Sequence, residues 1–371
     1  MRIGYEITSL APPRTGVGEY NLALLDHMMR QGGQVSFSLL STGRRRPRHA
    51  VVSTARRHRH LPVPTRFMYK LWASGMPAVD TLLGGIDVYH ATNYFLPPIR
   101  RARTVLTIFD LAFLLLPHLA SPRIVQPFSR QLRKFAHQAD LIVTCSQSTA
   151  RDMESTLGLP PEKVCVVPGA VDEIMRPVGQ EEAARALLEH YGIKTPFFLF
   201  VGTLEPRKNI EGLLTSFART AGQIPHNLVL VGREGWMETP TDAMVRRLGL
   251  EERVHRIGYV QNRADLPVFY SAADAFVFPS LYEGFGLPVL EAMACGCPVI
   301  AANTSSLPEI AGDAAWLVEL RDETSLGEAM LTLAQDGEQR AKLREAGIVQ
   351  ASRFSWERSA AILLAAYRSL A

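Results

Sequence analysis

A chain of 371 residues, 47% apolar and 20% charged, is too long for one core and predicts two ordinary globular domains of about 150 to 190 residues. Its four cysteines (Cys145, Cys165, Cys295, Cys297) are too few for a disulfide framework, and Cys295-Gly-Cys297 has no second Cys/His cluster to complete a metal site, so they read as small packing residues. The formal charge of +4 is unevenly placed: residues 1–178 hold 22 Lys+Arg against 12 Asp+Glu, the remainder 18 against 24.

The chain opens on a strand-like run, Ile3 to Ile7, with no signal peptide and no uninterrupted apolar run of about eighteen residues, which predicts a cytoplasmic protein. A loop over 8–17 ends in Thr15-Gly16-Val17-Gly18. A helix follows from about Glu19 to Arg30, with Leu22, Leu25 and Met29 on one face. After a second strand, Val35 to Leu40, residues 41–79 carry nine basic side chains and no acid, with Tyr69, Leu71 and Trp72 among them. Cations beside Trp and Leu suit an anionic membrane surface, at roughly 1 kcal/mol per charge. A solvated loop fits the same composition. Nucleic acid would suit the charge, but no recognition fold or stacking motif accompanies it.

Strand candidates DVYHA (87–91), TVLTIFD (104–110), DLIVTCS (140–146) and KVCVV (163–167) then alternate with helices, one near Arg123 to Ala136. Such alternation predicts α/β architecture, a doubly wound parallel sheet with its ligand crevice at the carboxyl ends of the strands. Those ends carry Gly16, His90, Asn93, Phe109, Asp110 and Ser146.

The rhythm breaks near 170–195, so the first domain is set at 1–178, a linker at 179–195 and the second domain at 196–354. The second domain restarts with PFFLFVG (196–202), followed by TLEPRKN and a helix to about Ala221. NLVLVG (227–232), RVHRIGYV (253–260), AFVF (275–278), PVIA (298–301) and AAWLV (314–318) continue the pattern, and a last helix starts from Ser355 as N-cap. The fold class is two Rossmann-like parallel-sheet domains facing across a cleft.

The most informative stretch is 279–301, PSLYEGFGLPVLEAMACGCPVIA. A strand, the turn Gly284-Phe285-Gly286 and a helix from about Leu287 to Ala294 bring backbone N–H groups and a helix N-terminus to one end of the sheet, where anions bind. Glu283 and Glu291 flank this turn. They suit a hydroxyl-rich, phosphorylated ligand; as acids near a helix start they are also favourable without one. Arg207 and Lys208, after the domain's first strand, could neutralise a pyrophosphate, and the Gly16 amide could reach the same phosphate. A tight turn accounts for Gly16 equally well.

Together these motifs resemble the retaining GT-B glycosyltransferases of family 4, in their bacterial mannosyltransferase-like branch. The matching stretches are TGVGEY (15–20), DVYHATNYFLP (87–97), VLTIFDLAFLLLP (105–117), VGTLEPRKN (201–209), EGFGLPVLE (283–291), SSLPEIAGDAA (305–315) and FSWERSA (354–360). The resemblance implies a GDP- or UDP-linked sugar donor held by the C-terminal domain and a saccharide or lipid-linked acceptor held by the N-terminal one. It also implies no obligatory metal, no further cofactor, and packing of the helix at 355–371 back onto the first domain. Glu291 would bind the ribose hydroxyls and Glu283 those of the sugar. Amides of Gly284, Phe285, Gly286 and Leu287, with Gly202, Thr203 and Gly16, would complete the donor site, and Arg207 and Lys208 would stabilise the leaving diphosphate.

Two departures stand out. The family's His-Asp is here Phe109-Asp110, which keeps Asp110 in the catalytic set and puts Phe109 beside His90 and Asn93 in the sugar or acceptor pocket. An apolar Phe109 would permit a 6-deoxy sugar such as rhamnose or fucose. Thr203, and Gly169-Ala170, also replace residues usual in the family, shifting phosphate contacts onto Arg207 and Lys208. The expected activity is transfer of a mannose-like hexose in surface polysaccharide synthesis, at or near the inner face of the membrane. A catalytically impaired nucleotide-binding subunit and a sugar-nucleotide epimerase are the alternatives.

Overall fold

The computed structural model describes residues 1–12, 14–120, 122–235, 240–322 and 324–370, without the side chains of 122–128 and 130. Its contacts divide the chain into two units: Met1–Leu115, Pro122–Gly169 and Ser355–Ala371 form one, and Leu116–Ser121 with Ala170–Phe354 the other.

The first unit contains a seven-stranded parallel sheet built from β1 (Arg2–Glu6), β2 (Ser36–Thr42), β3 (Arg57–Leu61), β4 (Val88–Ala91), β5 (Arg103–Thr107), β6 (Leu141–Thr144) and β7 (Val164–Val166), in the order β3-β2-β1-β4-β5-β6-β7. β5 and β6 bury apolar residues on both faces of the sheet, as a parallel sheet covered on both sides requires; Val105, Leu106, Ile142 and Val143 are fully buried. The helix Gly16–Gln31 packs against the final helix, Trp356–Leu370, with Tyr20 edge-on to Trp356 at 5.4 Å and Gln31 donating to the Glu357 carbonyl at 3.1 Å.

The second unit holds β8 (Phe197–Val201), β9 (Asn227–Val231), β10 (Val254–Gly258), β11 (Ala275–Phe278), β12 (Val299–Ala302) and β13 (Trp316–Val318), in the order β10-β9-β8-β11-β12-β13. Phe197, Phe198, Phe200, Phe276 and Phe278 are fully buried here. Each contributes about 1.5–3 kcal/mol by leaving water. Cys295 and Cys297 are buried thiols in this core, and burial pushes both up.

Three boundaries differ from the sequence expectation. Residues 170–178 and the expected linker group with the second unit. There the helix Gln180–Tyr191 lies on the helix Leu266–Ala272, Tyr191 edge-on to Phe269 at 4.8 Å and its hydroxyl donating to Asp265 at 2.7 Å. The first long helix begins at Gly16 rather than about Glu19. And residues 41–79 are not one loop: they form β3, at the sheet edge, and the helices Ala50–Thr54 and Thr65–Ala73.

No helix among the described residues is long and apolar enough to cross a membrane.

Candidate active site

The second sheet reverses its order between β8 and β11, and in an open parallel sheet the ligand crevice lies outside the carboxyl ends of such strands. Each of the two strands delivers half of a charged cluster there. After β8 the 3-10 turn Pro206–Lys208 ends in the two cations, and Asn209, left-handed at φ 55°, caps the helix Ile210–Thr220 by accepting from the Gly212 amide at 3.2 Å. After β11 the chain supplies Glu283.

Lys208 Nζ lies 2.5 Å from Glu283 Oε1 and 4.7 Å above the Phe278 ring. Arg207 spans the cluster. Its Nη1 is 3.0 Å from Glu283 Oε2 and donates to the Tyr282 carbonyl at 2.6 Å, while Nη2 donates to Glu205 Oε1 at 2.8 Å. Lys208 and Glu283 are each only 7% exposed, so desolvation acts on both. Burial alone would raise the Glu283 carboxyl, but Arg207 and Lys208 outweigh it and hold the carboxyl down to about 2. Burial lowers the Lys208 ammonium, with Glu283 acting against that shift. Two cations thus stand against two carboxylates, Glu205 and Glu283.

The turn after Glu283 is clamped from the segment that follows β12. The Glu283 amide donates to Ser305 Oγ at 2.8 Å, and Ser306 Oγ reaches the carbonyl oxygens of Glu283 and Phe285 at 2.9 and 2.8 Å. Gly286 sits at φ 105°, and a Cβ on it would come within 2.8 Å of Leu307 Cδ2, so this position requires glycine. The chain then enters the helix Leu287–Ala294, whose N-terminal end is partially positive. One turn into that helix, Glu291 accepts from Arg263 Nη2 at 2.6 Å and from the Tyr270 hydroxyl at 3.1 Å. Gly202 gives its amide to the Val231 carbonyl at 2.9 Å, and Thr203 beside it is half-buried.

The site residues expected in the first unit fare differently. His90 is not in a pocket: it is fully buried, with Nδ1 2.5 Å from the Tyr367 hydroxyl and Nε2 2.7 Å from Thr107 Oγ1. Burial holds it down to about 3, a neutral bridge between the sheet and the last helix. Phe109 is likewise a packing residue, 8% exposed and edge-on to Tyr20 at 5.2 Å, so the expected apolar sugar pocket has no support in its placement. Asp110 accepts from the Ala112 amide at 3.0 Å and the Tyr94 hydroxyl at 3.3 Å. Asn93 is better placed. With Glu6, Trp72 and Tyr89 it lines a cavity of about 20 Å³ beyond the ends of β1 and β4, where this sheet reverses its order. Its Oδ1, Trp72 Nε1 and Tyr89 Oη are buried there without hydrogen-bond partners. At Gly16 a Cβ would meet nothing within 4 Å, whereas at Gly18 it would lie 2.5 Å from the Ser9 carbonyl oxygen. The packing therefore requires glycine at 18 and not at 16.

The sequence profile of the group 1 glycosyl transferases matches residues 188–350, and that of glycosyltransferase family 4 matches residues 14–173. The O-antigen chain mannosyltransferase B of Escherichia coli is 33% identical over 285 residues, 76% of this chain and 74% of its own. The chain belongs to glycosyltransferase family 4. The serotype-specific mannosyltransferase WbdA of Escherichia coli is 28% identical over 275 residues, 72% of this chain but about a third (34%) of that much longer protein. Among solved structures, sucrose-phosphate synthase from Thermosynechococcus elongatus superposes with a TM-score of 0.80 at 22% identity, covering 100% of this chain and 99% of that one. Anabaena HepE, solved with UDP and glucose, gives 0.76 at 20% identity with both chains covered in full. The GT-B fold of family 4 is thus the fold of this glycosyltransferase.

Within this family 4 enzyme, sequence reasoning passed over Arg263, Tyr270, Ser305 and Ser306. Only the serines left a signal, through SSLPEIAGDAA; Arg263 and Tyr270 stand in an unremarkable helical stretch.

Proposed function

We propose that this enzyme is a retaining mannosyltransferase that moves mannose from a GDP- or UDP-linked donor to a saccharide or lipid-linked acceptor in building a surface polysaccharide, at the cytoplasmic face of the membrane. The donor belongs to the second unit and the acceptor to the first. The observation that carries the reading is the Arg207–Lys208–Glu283 cluster, joined beside a glycine turn and a helix start at the carboxyl ends of β8 and β11. The Escherichia coli relatives are named as mannosyltransferases, and HepE was solved with UDP and with UDP-glucose, which supports a nucleotide-sugar donor.

The chemistry follows from charge. Breaking the sugar–phosphate bond leaves negative charge on the diphosphate while the sugar turns oxocarbenium-like, so fixed cations and N–H dipoles at the diphosphate lower the barrier. A diphosphate competes with Glu205 and Glu283 for Arg207 and Lys208. As it takes the cations, Glu283 is released to accept hydrogen bonds from the sugar hydroxyls. Glu291, already oriented by Arg263 and Tyr270, keeps lone pairs for the ribose hydroxyls. Gly16, in the first unit, is glycine without a packing reason, since a Cβ there would meet nothing within 4 Å. Asp110 and Asn93 stand on the acceptor's side.

A panel of GDP-mannose, GDP-rhamnose, UDP-glucose, GDP and UDP tests this. A donor at 100 times its dissociation constant stabilises by about 2.7 kcal/mol. GDP-mannose or a UDP-sugar is expected to stabilise the enzyme and be turned over, with the donor's anomeric configuration retained in the product by NMR. Binding without turnover would instead indicate an impaired subunit, and donor consumption without acceptor an epimerase.

A further inference from the structure

Residues 41–79 present a basic surface interspersed with exposed apolar side chains. All nine of its cations (Arg44, Arg45, Arg46, Arg48, Arg56, Arg57, Arg59, Arg66, Lys70) are exposed. No described carboxylate pairs with any of them; Arg45 donates to the Pro12 carbonyl at 3.1 Å and Arg46 lies 3.4 Å from His58. Among them stand Val63, Phe67, Leu71 and Met76, 39 to 54% exposed, four of the ten large apolar side chains that the described chain leaves in solvent. Phe67 and Leu71 are one turn apart on the helix Thr65–Ala73, flanked by Arg66 and Lys70, while Met68 and Trp72 of the same helix are buried.

Protection of the sheet edge accounts for Arg57 and Arg59, since both lie on the edge strand β3. It does not account for bare Phe67 and Leu71 on a helix. Exposed apolar side chains beside cations that no described carboxylate pairs with fit a surface that is apolar below and anionic above, which is a bilayer carrying acidic headgroups.

We propose that this face, centred on Phe67 and Leu71, docks the protein onto membranes rich in anionic lipid. The apolar pair enters the headgroup boundary, and the neighbouring cations, Arg66 and Lys70 of the same helix among them, meet the acidic headgroups. The inner side of the same helix, through Trp72, lines the cavity that holds Asn93 and Glu6. A membrane-borne acceptor would therefore be met within about one helix diameter, roughly 10 Å, of that cavity. This last clause rests on the transferase reading; the docking surface does not.

Co-sedimentation with vesicles of equimolar phosphatidylcholine and phosphatidylglycerol, against phosphatidylcholine alone, tests the proposal with no donor or acceptor present. The expected result is binding to the anionic vesicles that weakens as salt is added and is absent on neutral ones. The Phe67→Glu/Leu71→Glu variant is expected to lose at least about tenfold in affinity, and Arg66→Ser/Lys70→Ser to weaken binding and flatten its salt dependence. Both keep the wild-type melting temperature, since the side chains are exposed. Equal binding to neutral vesicles, no binding at all, or wild-type binding by the Phe67/Leu71 variant would overturn the proposal. So would a self-association in light scattering that the same variants dissolve while vesicles are ignored. Donor binding by the second unit is read separately, so either result can fail without the other.

Discussion

Lys208 Nζ and Glu283 Oε1 stand 2.5 Å apart although 75 residues separate them in the chain. They meet because β8 and β11, the strands that precede them, are neighbours where the sheet order reverses. The pairing makes the cluster a charge-balanced latch rather than a bare cation site, and a phosphate must displace a carboxylate to enter it.

Lys208→Ala leaves Glu283 with Arg207 alone, at 3.0 Å. Breaking a buried pair costs about 3–5 kcal/mol when nothing else neutralises the remaining charge. With Arg207 still present the loss of stability is expected near 2 kcal/mol by urea unfolding. If Lys208 faces the developing diphosphate charge, as proposed, turnover falls further, by about 10²- to 10³-fold in kcat. Intact turnover in a destabilised variant would make Lys208 a structural cation only.

Acid weakens the two units in successive windows. Burial depresses His90 from 6.5 to about 3, so the unfolded chain takes up this proton first; the stability tied to the neutral ring is full above pH 6.5 and is lost as pH falls toward 3. By pH 5 the loss from this one group is about 2 kcal/mol. For Glu283, depressed from 4.5 to about 2, stability is full above pH 4.5 and is lost as pH falls toward 2. Unfolding midpoints in urea between pH 7 and 5 should drop in the wild type and stay flatter in His90→Gln, whatever that variant's starting stability. Glu283→Gln should leave this interval unchanged and flatten the profile only below pH 4.5.

The sheets were legible in the sequence because strands covered on both faces are unbroken apolar runs: AFVF and PFFLFV could hardly be anything else. The edge strand RHRHL carried no such run. Its histidines instead turn inward to Ser41, which lies 2.8 Å from His58 Nε2 and 2.9 Å from His60 Nδ1. Gly16 hid a helix start because glycine is a poor helix former. His90 read as a ligand group because Tyr367, which fixes it, lies 277 residues away. The Arg207–Lys208–Glu283 cluster was legible for the opposite reason: each residue follows a recognisable strand, and strand order alone brings them together.

Phe109→Leu separates packing from specificity. With the Phe109 ring edge-on to Tyr20, the smaller side chain is expected to cost about 1–2 kcal/mol through lost aromatic contact and packing. Relative turnover of GDP-mannose and a 6-deoxy donor such as GDP-rhamnose should remain as in the wild type. A change in that ratio without a change in stability would return Phe109 to the sugar pocket.

Ser306 is the most economical probe of whether the turn after Glu283 must be held still. The residue is fully buried, and its hydroxyl lies 2.9 and 2.8 Å from the carbonyl oxygens of Glu283 and Phe285. Ser306→Ala leaves these buried acceptors without their donor, at about 1–3 kcal/mol. It also loosens the backbone that aims Glu283 and the amides of residues 284–287. A misplacement of about 1 Å at a reacting centre can cost as much as a hundredfold in rate, so kcat/KM should fall at least about tenfold. Thr304→Ala is the control, because its hydroxyl holds the Ser280 carbonyl at 2.9 Å, three residues before Glu283. It should lose comparable stability with a smaller loss of kcat/KM. Equal kinetic losses in the two variants would mean that the loop responds to general softening, and that the clamp on Glu283 has no particular role in transfer.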